Sequence, residues 1–163
     1  MYIFVYNEKG NIMTENDDNA HLDLKSGRVT IRLRSDLAPR HVTRIKELIG
    51  EGFYDGLIFH RVIEDFMAQT GCPDGTGMGG SGQKIKAEFS DEPFVRGTVG
   101  MARSRSPDSG DSQFFITFGP TPHLDGDYTV WGEVIDGMEH VDNIVVGEPP
   151  DEPDTIIKFS LAS

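Results

Sequence analysis

Thiols, membrane-length apolar runs and positive charge are all scarce in this chain. One cysteine, Cys72, stands in 163 residues, so no internal disulfide can form. A single thiol in a loop reads as passive, and so few thiols match a reducing compartment. No apolar stretch approaches the ~20 residues that span a bilayer. The opening "MYIFVYNEKGNI" has a short apolar run, no basic n-region and no small-residue cleavage site, so it does not read as a secretory signal. The expectation is a cytoplasmic protein. Lys and Arg number 15 against 27 Asp and Glu, a net charge of −12. That argues against non-specific attraction to nucleic acid or to anionic membranes. Five histidines and one cysteine are scattered without metal-ligand spacing, so neither a metal site nor a cofactor is expected.

What is present is turn-rich: 19 glycines and nine prolines in a length suited to one domain. "HLDLKSGRVTIRLR" predicts a hairpin turning at Ser26-Gly27, with Val29, Ile31 and Leu33 on one face and Thr30, Arg32 and Arg34 on the other. "DLAPRHVTRIKELIGEG" changes period: Val42, Ile45, Leu48 and Ile49 recur at helical spacing, Pro39 suits the first turn, and Gly50 or Gly52 suits the stop. A second short helix is expected after Asp136, capped by it, with Met138, Val141, Ile144 and Val145 on one face. Short β-like runs lie at 57–63, 66–69, 98–102, 113–118, 128–135 and 156–161. Many short strands with two helices predict a mainly β, closed or nearly closed antiparallel barrel whose open ends the helices cover. Residues 1–19 read as an N-terminal appendage or an added edge strand, with the acidic stretch 14–19 as linker, ahead of a domain over 20–163. "GEPPDEPD", 147–154, is an acidic proline-rich loop before the last strand.

Two stretches combine large apolar groups with hydrogen-bond donors. In "FHRVIEDFMAQTG", 59–71, an arginine and a histidine sit inside an apolar run. Taken alone, His60 is more often a structural histidine and Arg61 a surface charge with a packed stem. In "QFFITF", 113–118, alternation assigns Phe114, Ile116 and Phe118 to the core and turns Gln113, Phe115 and Thr117 outward. An outward aromatic beside two polar groups marks a contact site, unless a loop covers it. "GTGMGGSG" matches G-x-G-x-x-G but leads into "QKIKAEF", which alternates like a strand, so it is no dinucleotide fingerprint and reads as a mobile loop. "GDSQF" is not a nucleophile elbow, which leaves Ser112 without a hydrolase role.

In that order, "FHRVIEDFMAQTG", "GTGMGGSG", "GTVGMARS", "DSQFFITF" and "HLDGDYTVWGEVIDGMEHVDNI" resemble the cyclophilin family of peptidyl-prolyl cis-trans isomerases, over about Ala20 to Ala162. "MARSRSPDSGDSQFF" is closer to bacterial members. The resemblance implies an eight-stranded antiparallel β-barrel capped by two α-helices. It implies Arg61, Gln113 and Phe115 as the catalytic set. Phe66, Met67, Leu124 and Phe115 would form the floor for a proline ring. Gln69 would flank the peptide, with Gly75 and Ala102 as small groove residues and His60, Arg103, Ser104, His123 and Tyr128 completing the binding surface. Arg103, His123 and Tyr128 stand where many members carry asparagine, tryptophan and histidine, so altered peptide preference is expected. The tryptophan aids cyclosporin binding in the family, so His123 implies weak binding of that drug.

The implied function is acceleration of rotation about X-Pro bonds in unfolded or folding proteins, by a monomer. An arginine suits the task because it is always charged and cannot act by proton transfer. Two other classes compete: a non-catalytic module that holds proline peptides, and a holding chaperone. The first would bind without accelerating isomerisation, and the second would suppress aggregation without Arg61.

Overall fold

The computed structural model of the protein describes residues 5–6, 12–13 and 18–162. Strands β1 (Val5–Tyr6) and β2 (Ile12–Met13) pair with each other. Residues 14–17 of the expected linker lie outside the described residues. Asn19 already opens β3 (Asn19–Leu24) and pairs with Arg32 of β4 (Gly27–Leu33). There follow α1 (Pro39–Gly50), β5 (Arg61–Ile63), β6 (Met67–Thr70), β7 (Thr98–Met101), β8 (Phe114–Thr117), β9 (Val130–Asp136), α2 (Met138–Asp142) and β10 (Lys158–Leu161). Strands β3 to β10 form one eight-stranded antiparallel sheet in the order β10-β3-β4-β9-β7-β8-β6-β5. The expected mainly β, eight-stranded antiparallel fold with two helices is therefore present.

The sheet curls, and its seam is not a ladder. Residues beside the edge strands close it: Gly56 N–H donates to Ile156 O at 2.7 Å, Phe59 N–H to Asp154 O at 2.9 Å, and Val62 N–H to Gly147 O at 2.9 Å. The run 57–63 is thus a strand only from Arg61, with Ile58 in an isolated bridge to Thr155. "QKIKAEF" also falls short of a strand, because only Ile85 finds a partner, Gly110.

Period-2 alternation builds the core. Ala20, Leu22 and Leu24 of β3 point inward with Val29, Ile31 and Leu33 of β4. The hairpin turns at Lys25-Ser26, one residue earlier than predicted, since Leu24 still pairs with Gly27. Large rings fill the centre: Tyr54 and Phe114 lie 5.4 Å apart, and Phe114 meets Trp131 at 5.3 Å, both nearly edge-on. Tyr54 donates its hydroxyl to Ser112 O at 2.8 Å, which satisfies the polar end of a fully buried ring.

Helix α1 buries Val42, Ile45, Leu48 and Ile49, as its period requires, together with His41. Ala38, at the N-cap, has no side-chain oxygen to offer. A distant carboxylate replaces it: Glu88 accepts from Arg40 N–H at 3.2 Å, His41 N–H at 2.8 Å and His41 Nδ1 at 2.6 Å. Helix α2 departs from expectation at both ends. Gly137, not Asp136, is its N-cap; its φ is 85°, and a Cβ there would collide with Arg28 O. Asp136 instead ends β9, opposite Thr30. The helix stops at Asp142, so Val141 and Ile144 are buried but Val145 is exposed.

Candidate active site

Strands β5, β6 and β8 are neighbours, and their register sets Arg61 opposite Gln69 and Gln69 opposite Phe115. Gly100 of β7 continues the line on the far side of Phe115. Residues in register share a face of a sheet, so a guanidinium, an amide and an aromatic ring stand in one row. Met67 lies two residues before Gln69, and Gln113 two before Phe115, so both join that face.

This outer face is not solvent. Every residue of β7 and of β8 is buried, so Phe114 and Ile116 face the main core and Phe115 the other side, as expected for "QFFITF", but without solvent on that side. A second apolar cluster covers the face: Met67, Phe94, Phe115, Leu124 and Val130, edged by Phe66, Ala102 and Tyr128. Phe115 therefore faces outward from the main core yet is only 4% exposed. Its ring stacks on Phe94 at 5.7 Å and meets Tyr128 edge-on at 5.8 Å. Gly100 makes room for both rings, since a Cβ there would sit 2.6 Å from Phe115 Cζ and 2.7 Å from Phe94 Cε1. Buried as it is, Phe115 still lines an open cavity of about 130 Å³, together with Arg61, Phe66, Met67, Gln69, Ala102, Arg103, Leu124 and Tyr128. The notch has an apolar floor and a cationic edge.

A chain of hydrogen bonds fixes that edge. Gln113 Nε2 donates to Gly77 O at 3.0 Å and to Gly79 O at 2.9 Å. Backbone carbonyls only accept, so the amide nitrogen must face them and Oε1 must face the other way. That oxygen accepts from Gln69 Nε2 at 3.0 Å, and Gln69 Oε1 accepts from Arg61 Nη1 at 3.3 Å. On its other flank Arg61 Nε donates to Glu148 Oε1 at 2.9 Å. Each orientation follows from the one before it, starting from two carbonyls of the glycine loop.

Cys72 holds that loop by hydrogen bonds. It is fully buried, its thiol donates to Asp74 Oδ1 at 2.9 Å, and its sulfur accepts from Gly77 N–H at 3.2 Å and Gly79 N–H at 3.3 Å. Hydrogen bonds from Cys72 and Thr76 pull the Asp74 carboxyl down to about 2. Gly77 and Gly79, with Lys84, Ser104, Ser109 and Asp111, line a second cavity of about 300 Å³ that shares Gln69, Ala102, Arg103 and Gln113 with the polar edge of the first or with its hydrogen-bond chain.

The remaining candidates divide. Tyr128, Leu124, Met67, Phe66 and Ala102 line the notch. Ser104 lines only the second cavity. His123 is exposed on the rim, its ring 5.4 Å from Phe66 and outside the lining. His60 is buried behind the glycine loop, close to Gly77, and lines neither cavity. Burial, then the nearby Arg61 charge, push its pKa below the usual histidine value, so it is neutral at pH 7. Gly75 sits at the base of the loop against Ile58, also outside both linings. Arg103 does not reach freely from the rim: Nε and Nη2 donate to Asp127 O at 2.9 and 2.8 Å, Nη1 donates to Ser104 O at 3.0 Å, and the guanidinium covers the Tyr128 ring at 4.5 Å. It is a strut of the wall.

A cationic donor beside an apolar notch can hold a small apolar ring and donate a hydrogen bond at its edge. Comparison with known proteins decides which reaction this serves. Residues 20–161 match the model of the cyclophilin type peptidyl-prolyl cis-trans isomerase/CLD family. The chain belongs to that family. A probable peptidyl-prolyl cis-trans isomerase of Brucella suis is 50% identical, with 86% of this chain and 80% of that one covered. Peptidyl-prolyl cis-trans isomerase B of Bacillus subtilis is 45% identical, with 74% and 85% covered. A cyclophilin of Hirschia baltica superposes with a TM-score of 0.83 at 26% identity, covering 91% of this chain and 75% of that one. The protein is thus a peptidyl-prolyl cis-trans isomerase.

Three residues around this cyclophilin site escape a reading of the sequence. Phe94 backs Phe115, Gly100 admits both rings, and Glu148 pairs with Arg61. Only Gly100 carried a local signal, a glycine inside a strand-like run. Phe94 and Glu148 lie 21 and 87 residues from their partners, and no pattern links them.

Proposed function

We propose that this isomerase acts on X-Pro bonds of unfolded or folding proteins through Arg61. The proline ring occupies the notch over Phe115, and Gln69 and Gln113 hold the peptide backbone. The observation that supports this most directly is the row Arg61–Gln69–Phe115 bordering one small apolar cavity.

An X-Pro bond crosses a barrier of roughly 20 kcal/mol, because rotation breaks amide resonance. In the twisted state the nitrogen regains its lone pair and accepts a hydrogen bond, which it does poorly in either planar form. A donor aimed at that nitrogen therefore stabilises the transition state selectively. Of five N–H donors on Arg61, Nε serves Glu148 and one on Nη1 serves Gln69. Three remain for the substrate. The notch supplies the grip. Burying the three ring methylenes is worth about 2 kcal/mol, at about 0.8 kcal/mol each. No bond is made or broken, so the rotation calls for no proton transfer.

Proline peptides as ligands draw support from a cyclophilin of Cryptosporidium parvum, solved in the presence of the dipeptide Ala-Pro, which superposes with a TM-score of 0.83 at 29% identity, with 89% of this chain and 99% of that one covered. A reducing, cytoplasmic setting draws its support from the one cysteine, which is free and buried. A protease-coupled isomerisation assay tests the reading. Wild type accelerates the slow cis phase in proportion to its concentration, and Arg61→Ala does not. Binding without acceleration would make the protein a module, and aggregation suppression that survives Arg61→Ala would make it a holding chaperone.

A further inference from the structure

We propose that Glu148, in the acidic proline-rich loop, is a positioning residue that aims Arg61. The inference rests on Arg61 being the donor in isomerisation. The loop does not meet β5 by chance contact. Val62 N–H donates to Gly147 O, and Gly147 N–H to Val62 O, both at 2.9 Å, an antiparallel bridge. That pairing makes Arg61 and Glu148 cross-strand neighbours, as residues one step to either side of a bridged pair must be. Gly147 lets the loop fold back on itself beside that bridge, since a Cβ there would collide with Pro150.

The consequence lies in how a guanidinium is held. Gln69 alone takes one proton of Nη1, at 3.3 Å, about which the group can swing. Glu148 takes the Nε proton at 2.9 Å on the opposite flank. Two anchors on different nitrogens fix the plane and its rotation, and leave the Nη2 protons to a substrate. Both side chains are about half exposed, 44% for Arg61 and 56% for Glu148, so their pairing adds little to stability. Its effect falls on geometry, and small misplacement of a catalytic group lowers rate steeply.

The test uses Glu148→Gln and Glu148→Ala in the full chain. The transition state alone needs an aimed donor, so kcat should fall about threefold to tenfold with KM within about twofold of wild type. Glu148→Asp should recover part of the loss, and thermal midpoints should match wild type. The Arg61 Nε–H resonance should be sharper in wild type than in both variants, where it should broaden or vanish. In an Arg61→Lys background, which has no Nε–H, Glu148→Gln should change nothing further. Unchanged kcat, a loss confined to KM, or an equal loss in the Arg61→Lys background would overturn the proposal. A fully active Arg61→Ala would instead remove the reading of Arg61 on which it rests.

Discussion

Removing the Arg61 guanidinium is the sharpest perturbation available. In Arg61→Ala the twisted nitrogen loses a charge-assisted hydrogen bond, worth about 1.5–3 kcal/mol. At 1.36 kcal/mol per decade that is about 13- to 160-fold in rate. A second loss follows from the hydrogen-bond chain. Gln69 Oε1 loses its donor, and the amide is then held only through Gln113. Loosening one substrate contact adds about 0.5–1 kcal/mol, which brings the expected loss in kcat/KM to about thirtyfold to several hundredfold. The fold should be indifferent. The Arg61 side chain is 44% exposed and its ion pair with Glu148 is open to water, so stability should move by less than about 1 kcal/mol. The assay is isomerisation of a short Pro-containing peptide, coupled to a protease that cuts only the trans form, with urea unfolding of both proteins alongside. Activity within threefold of wild type in a folded Arg61→Ala protein would refute the mechanism. A large loss accompanied by unfolding would refute the claim that Arg61 is dispensable to the fold.

Other consequences follow from the same geometry. Gly100→Ala places a methyl 2.6 Å from Phe115 and 2.7 Å from Phe94, so it should destabilise by about 1–3 kcal/mol and raise KM for proline peptides as the floor shifts; an unchanged KM would mean that the floor is not where substrate sits. His123→Trp sets a larger ring beside Phe66 on the rim and should tighten cyclosporin binding, as titration calorimetry would read; equal affinities would dismiss any part of His123 in that affinity. Burial pushes the folded-state pKa of His41 below 6.5, more than Glu88 pulls it up. The unfolded chain therefore takes up the proton first, so stability is unaffected above about 6.5 and falls as pH drops below that value toward the folded-state pKa. His60 adds a slope of the same sign. Urea unfolding at about pH 7.5 and about pH 5.5 should show the drop, and His41→Asn should lessen it; equal slopes in the two proteins would exclude His41 as a source.

The sequence by itself determined the elements whose cause is local. The β3–β4 hairpin and α1 were legible because their apolar residues keep one period over many positions, and a chain that buries one face has no other way to fold there. Arg61, Gln69, Gln113 and Phe115 were legible as a set through long ordered motifs, though composition and period alone left Arg61 and His60 ambiguous. Tertiary structure decided the rest. Alternation assigned Phe115 to an exposed face, yet Phe94, Leu124 and Val130 cover it, because β8 sits between two other strands under a second apolar layer. His60, one residue from Arg61, faces away behind the glycine loop, while Glu148, far along the chain, faces the guanidinium. Strand register and seam closure bring such residues together, and neither is a property of any short stretch of chain.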